Sequence, residues 1–241
     1  MRWIAERKAG QALYELMTVV GRYPALALPA ARNRRHGTLL QDDTEILIEG
    51  YPRSGNSFAV AALARAQARP VRIAHHAHVP GHVIAAARAG VPALVVIREP
   101  AEAVVEFVLV KPVVTVAQAL RGYRRFYAPL LPYLGDMVIG VFAQIMTDFG
   151  EVIVRVNRKF GTSFRPFEHA EKNLGPSIEA IEHYWRSREG PGLPVLGRTS
   201  PAPPEHLDEL RARALMAYGS PGLGSARRSA EALFRRFAEA R

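Results

Sequence analysis

The chain has 241 residues, about the length of one elaborated domain, and its 49% hydrophobic and 22% charged residues are too apolar a mix for a disordered chain. The absence of cysteine excludes disulfides, thiolate nucleophiles, iron–sulfur clusters and cysteine zinc sites, and no apolar run reaches the roughly 18 residues of a membrane-spanning helix. The net charge is +10, and residues 1–36 carry seven Lys/Arg against Glu6 and Glu15, so half of the excess sits in about a seventh of the chain. Such a balance suits a polyanionic partner: nucleic acid, an anionic membrane or an anionic small molecule.

In chain order, the first thirty-odd residues read as one amphipathic helix, with Ile4, Leu13, Leu16, Met17 and Val20 able to share a face. Tyr23-Pro24 is expected to end it. The pattern predicts a helix packed on the domain, with its basic side in water or on an anionic membrane surface. The N-terminus lacks the apolar core of a secretory signal, so a cytoplasmic location is expected, with peripheral membrane contact through this helix. Residues 1–36 are read as a basic N-terminal helical segment, and 37–241 as a single α/β domain.

Residues 45–49 read as a buried strand, followed by a Gly/Pro turn and an Ala-rich helix near 57–68. A short strand is predicted at 71–75, and a helix after Pro80. Residues 93–97 are uniformly apolar, as a central parallel strand is. Pro100 then suits a first helical turn. Helices are predicted over 101–109, 115–132, 147–160 and 172–188, with a strand at 137–142. The proline-rich stretch 189–204 reads as a loop, and helices over 204–217 and 224–240 close the chain. Alternating strands and helices imply a single parallel sheet between helices.

The informative segment runs from Gly50 through Tyr51, Pro52, Arg53, Ser54, Gly55 and Asn56 to Ser57. It follows a buried strand and opens a helix, the context in which backbone N–H groups and a helix dipole hold an anion. Its spacing matches a triphosphate loop except that Asn56 stands where the phosphate-reaching lysine would be. That difference weighs against phosphoryl transfer from ATP or GTP. The strand 93–97 is followed by Arg98 rather than a metal-holding Asp, and an arginine there suits a second phosphate.

Residues 51–58 resemble the 5′-phosphosulfate loop of the sulfotransferases, which use 3′-phosphoadenosine 5′-phosphosulfate as sulfuryl donor. Arg98-Glu99-Pro100 is similar to that family's Arg-x-Pro, and His76-Ala77-His78-Val79-Pro80 to the segment that presents its catalytic base. The stretch from Val141-Phe142 to Phe160-Gly161-Thr162 looks like bacterial members. The resemblance covers roughly residues 45–165 and implies a P-loop NTPase-like three-layer sandwich and a sulfuryl-transfer activity that needs no metal. It places Arg53 at the bridging oxygen, the backbone of Ser54, Gly55, Asn56, Ser57 and Phe58 at the 5′-phosphate, and Arg98 at the 3′-phosphate. Eight residues beyond Arg98 the family carries a serine, where this chain has Glu106. Ala143 likewise stands where an acidic residue is common. Arg198, in the proline-rich loop, is the candidate lid residue.

Four of the eight histidines lie at 75, 76, 78 and 82. His78 is the candidate general base, with His76 second because alternation along an extended segment would point both to one side. A zinc site is the rival reading, although no carboxylate lies nearby in sequence. The acceptor, a hydroxyl or less favourably an amine of a small molecule, lipid or glycan, is not legible. The alternatives to a sulfotransferase are a non-catalytic nucleotide- or membrane-binding relative and a divergent P-loop kinase; nucleic acid ranks last, since no recognition motif is present.

Overall fold

The computed structural model describes residues 2–32, 37–170, 173–175, 177, 179 and 204–241. At its centre lie four parallel strands in the order β2-β1-β3-β4: β1 (Ile46–Gly50), β2 (Ile73–His75), β3 (Ala93–Ile97) and β4 (Val138–Val141). Leu47 pairs with Ala74 on one side and Ala93 on the other, and Leu94 pairs with Val138.

Because strand side chains alternate, one apolar run serves both faces. Leu47, Val95, Ile97 and Ile139 join one core cluster, while Ile46, Ile48, Leu94, Val96 and Val138 join the other. The first is closed by α4 (Pro80–Ala89), α5 (Pro100–Val110), α6 (Val116–Tyr127) and α10 (Gly224–Glu239). The second is closed by α3 (Asn56–Ala66), α7 (Phe142–Thr147) and α8 (Phe149–Phe160). Helices therefore cover both faces of the sheet. A further helix, α9 (Pro204–Gly219), lies against α5 through Ala214 and Leu210.

Local chemistry explains the boundaries. Pro80 and Pro100 occupy first-turn positions, where the missing N–H costs nothing. Thr115 and Gln118 form a reciprocal capping box at the start of α6. Residues 128–132, expected as the continuation of that helix, instead tighten into a 3-10 segment over Ala128–Asp136, which holds Pro129 and Pro132. Asp148 caps α8 and separates it from α7.

The N-terminal expectation needs two corrections. The chain turns at Gly21–Tyr23 but resumes as α2 (Pro24–Arg32) after α1 (Arg2–Val20). The face of α1 that docks is the polar one. Gln11 donates to the Val113 carbonyl at 3.0 Å, Glu15 pairs with Arg121 at 2.6 Å and with Arg125, and Tyr14 packs on Phe107. Of the stripe expected to pack, Leu13 and Leu16 are 59% and 58% exposed, Met17 and Val20 are half-buried, and the Ile4 side chain lies outside the described ones. Ionic and aromatic partners on α5 and α6 outweigh the helix's own apolar periodicity. Residues 173–175, 177 and 179 are helical; the rest of the helix expected at 172–188, and nearly all of the proline-rich loop with Arg198, lie outside the described residues.

Candidate functional site

The site forms at the carboxyl ends of β1 and β3. Here the chain leaves β1 for β2 on one side while β3 pairs on the other, the switch point at which open sheets form a crevice. A Cβ at Gly50 would strike the Val96 carbonyl, so only glycine lets the chain turn this close to β3. Tyr127, buried in α6, holds the turn: its hydroxyl donates to the Val96 carbonyl at 2.8 Å and accepts from the Tyr51 N–H at 3.1 Å. Burial pushes that phenol well above its ordinary value, so it stays a donor. Ser54 Oγ lies 3.3 Å from the same oxygen, and Ser54 is fully buried. Asn56 Nδ2 donates to the Gly50 and Tyr51 carbonyls at 3.3 and 3.4 Å. Its side chain thus latches the loop.

Gly55 is left-handed at φ 102° and caps α3 without a side-chain hydrogen bond. The first-turn N–H groups of Asn56, Ser57 and Phe58 therefore receive nothing from the cap, which is the arrangement that accepts an anion. Phe58 contributes only its backbone there, because its ring packs edge-on against Phe149 and Phe167 in the core.

Arg53 is also left-handed, φ 70°. Its Nε is buried and has no hydrogen-bond partner among the described residues. Burial lowers the guanidinium from its ordinary value, Glu106 opposes that shift and Arg98 adds to it. Arg53 lies 3.7 Å from Glu106, which pairs at 2.9 Å with Arg211 of α9. Arg98 donates to the Arg53 carbonyl at 3.2 Å, pairs with Glu102 at 2.8 Å and stacks over the Phe142 ring at 4.0 Å. Three guanidiniums and two carboxylates thus gather beside the loop.

The histidines surround a group that their local sequence does not contain. Glu49, fully buried at the end of β1, accepts from the Ala77 N–H at 2.6 Å, the His78 N–H at 3.2 Å and His82 Nδ1 at 3.0 Å. His82 Nε2 accepts the Leu40 N–H, so His82 is the neutral Nδ1–H tautomer. Burial works against the charge on Glu49, but the His82 hydrogen bond, the charge His78 takes on protonation and the Ala77 N–H outweigh it. The carboxyl is held below its ordinary value.

The segment is not the extended one expected from sequence. The strand ends at His75, and His76 and His78 are left-handed at φ 59° and 52°, which turns the Ala77 and His78 N–H groups onto Glu49. His78 Nδ1 lies 2.8 Å from the Gly50 carbonyl and must donate to it, leaving the lone pair on Nε2. His76 uses both ring nitrogens: Nε2 meets Ser57 Oγ at 3.0 Å, and Nδ1 meets His75 Nδ1 at 2.7 Å. Among the described residues, the non-glycine residues at positive φ are Arg53, His76 and His78. Left-handed non-glycine residues cost of order 1–3 kcal/mol each and concentrate where function demands them.

His76 and His78 also line a cavity of about 530 Å³ walled by Tyr51, Pro52, Val79, Phe107, Phe126 and, from α1, Leu13, Tyr14 and Met17. Loop, histidines and an apolar chamber therefore meet, while Arg198 falls outside the described residues. Among the described residues no three His, Asp or Glu side chains converge to hold a metal ion. Glu49 and Arg211 are not among the residues the sequence singles out, and Tyr127, readable there as a core aromatic, gives no sign that it supports the loop. Only Glu49 left a signal, an acidic residue closing an otherwise apolar strand. Compared with protein-family models, curated proteins and solved structures, the chain matches none of them.

Proposed function

We propose that the protein is a sulfotransferase on a P-loop type of α/β fold, moving a sulfuryl group from 3′-phosphoadenosine 5′-phosphosulfate to an acceptor hydroxyl. The observation that carries this reading is the pairing of a buried Arg53 Nε, without a hydrogen-bond partner among the described residues, at an uncapped helix start with His78, which meets the Gly50 carbonyl beside an apolar chamber. An orphaned buried donor beside free first-turn amides fits an anionic group.

The Ser54 N–H is held by the Tyr51 carbonyl at 3.2 Å, so the amides of Asn56, Ser57 and Phe58 with the Arg53 guanidinium would hold the donor's 5′ end, and Arg98 is the candidate for its second phosphate. Glu106 does not stand bare beside that phosphate, because Arg211 and Arg53 share its charge. Bound there, the donor supplies a sulfuryl group on a phosphate leaving group: the acceptor oxygen bonds to sulfur as the sulfur–oxygen bond to phosphate breaks, and the hydroxyl proton goes to His78. His78 Nε2 takes that proton, a role that general bases fill with roughly 10²- to 10⁴-fold effect. The Gly50 carbonyl fixes the ring and its tautomer. The Glu49 charge, 3.9 Å from Nδ1, stabilises the imidazolium that forms. Arg53 and the helix start favour negative charge building at the loop. The apolar walls keep water from competing with the acceptor.

Calorimetric titration of 3′-phosphoadenosine 5′-phosphate tests the reading. Micromolar binding is expected for the unaltered chain, weakened at least about ten-fold by Arg53→Ala and by Arg98→Ala, since each loses charge-assisted hydrogen bonds. ATP, with or without Mg²⁺, should bind weakly. Absent nucleotide binding, or tight Mg²⁺-dependent ATP binding, overturns it.

A further inference from the structure

Along the second half of α1 and into α2, large apolar side chains stand where water would select polar residues. Because Gln11, Tyr14 and Glu15 face the domain, Leu13, Leu16 and Val19 are left outside at 59%, 58% and 46% exposure. They are spaced three apart along one side of the helix. Tyr23 and Leu26 follow in the turn and in α2, at 44% and 58%. Exposed large apolar groups gathered in one stretch mark an interaction surface.

Two further observations say what covers it. Charge is the first. Residues 1–36 carry a net +5, and Glu15, one of their two acidic residues, is turned inward onto Arg121 and Arg125. Basic residues flanking an exposed apolar strip complement an anionic bilayer. Continuity with the cavity is the second. Leu13 belongs both to the exposed strip and to the cavity lining, so the chamber opens on that strip. Behind Leu13 the walls are Met17, Val79, Phe107 and Phe126, with His76 and His78 contributing polar groups to the same space. A chamber of about 530 Å³ with mainly apolar walls and a few placed polar groups suits a chain-bearing amphiphile.

We propose that α1, the turn and α2 seat the protein on an anionic bilayer, and that the acceptor is a lipid alcohol whose apolar chain enters past Leu13 and brings its hydroxyl to His78. The acceptor half of this inference rests on the transferase reading above; the seating does not.

Vesicle sedimentation tests the seating. The chain should pellet with phosphatidylcholine vesicles containing phosphatidylglycerol, not with pure phosphatidylcholine, and high salt should weaken the association. Since the chain lacks cysteine, a Leu16→Cys variant carries a single environment-sensitive dye, whose emission should shift to the blue on anionic vesicles. The same dye at Met216→Cys, exposed on α9, should not respond. A Leu16→Glu, Leu26→Glu double variant alters only exposed side chains. It should lose at least about ten-fold in partitioning while keeping its circular dichroism and its binding of 3′-phosphoadenosine 5′-phosphate. A pyrene-labelled long-chain alkanol should bind the unaltered chain and be displaced by hexadecanol, and Leu13→Glu should abolish its binding.

Equal sedimentation with both vesicle types, dye shifts at both positions or neither, or a concentration-dependent dimer that buries the Leu16 label without vesicles would overturn the seating. Vesicle binding without alkanol binding would overturn the lipid acceptor. Nucleotide binding without vesicle binding sinks the seating and leaves the transferase reading in place. Vesicle binding without nucleotide binding sinks the transferase reading, and with it the acceptor, and leaves the seating.

Discussion

Glu49 is fully buried, and its charge depends on the donors around it: the N–H groups of Gly50, Ala77 and His78, and His82 Nδ1. A Glu49→Gln variant keeps the shape but offers one acceptor oxygen where two now receive bonds. It should lose about 3 kcal/mol in urea unfolding at pH 7, the scale of a broken buried polar cluster. The carboxyl's folded value is depressed, so its contribution is fully present above the ordinary Glu value and is lost as pH falls through the folded value. The stability gap between the two proteins should therefore narrow below about pH 4.5, starting from the ordinary carboxyl range. A gap that stays constant would mean the carboxylate is not the source. At His78, φ 52° makes asparagine the informative replacement, because it tolerates left-handed backbone. His78→Asn gives up the ring's hydrogen bond to the Gly50 carbonyl, so it should melt a few degrees lower, yet bind nucleotide within about two-fold and transfer at least about 10²-fold more slowly. Equal transfer rates would remove His78 as base. Sequence made Arg53, His76 and His78 legible, because loop spacing and a histidine cluster are local signals. Glu49 meets the histidine segment from 27 or more residues away in sequence, and its role exists only once β1 and β2 pair.

Elements were legible where composition alone decides them. The apolar strands at Ile46–Gly50 and Ala93–Ile97 and the proline-started helices stand within a residue or two of their expected places. Those that depend on neighbours were not: α1 docks by its polar side, and the helix after Thr115 gives way to a 3-10 segment rich in proline. The pairing of α5 with α9 through Glu106 and Arg211 was equally invisible, since the two residues are 105 positions apart. That ion pair sets a prediction at this scale. Glu106 draws charge from Arg53 and Arg211 that an anionic ligand would otherwise meet. Glu106→Gln should tighten 3′-phosphoadenosine 5′-phosphate about five- to ten-fold, on the order of 1 kcal/mol, and steepen the salt dependence of binding. Calorimetry at two ionic strengths measures both. Weaker binding in the variant would instead make Glu106 the strut that positions Arg53.

On the scale of the whole molecule, α1 supplies a wall of the cavity, and the segment that contains it, residues 1–36, carries half of the chain's excess positive charge. Tyr14 lies over Phe107 and meets the Tyr51 hydroxyl, the Gly21 carbonyl accepts the Gly81 N–H at 2.7 Å, and Glu15 holds Arg121 and Arg125. Removing this segment would bare Phe107, Phe126 and Tyr51 together and leave two arginines of α6 without their carboxylate. The loop from Gly50 to Ser57 has its supports elsewhere, in Tyr127, Asn56 and the Val96 carbonyl. Deletion should therefore separate the two halves of the site. Melting is expected to fall by roughly 10 °C, the equivalent of a few kcal/mol in a chain this size. A dye that reports exposed apolar surface should bind, and alkanol and vesicle binding should vanish. Nucleotide affinity should hold within about two-fold, because α1 reaches the loop at the Tyr51 side chain while Tyr127 and Asn56 hold the loop backbone. A deletion that melts unchanged would mean the segment rests on the domain without contributing to it. One that loses nucleotide as well would show the chamber and the loop to be a single cooperative unit.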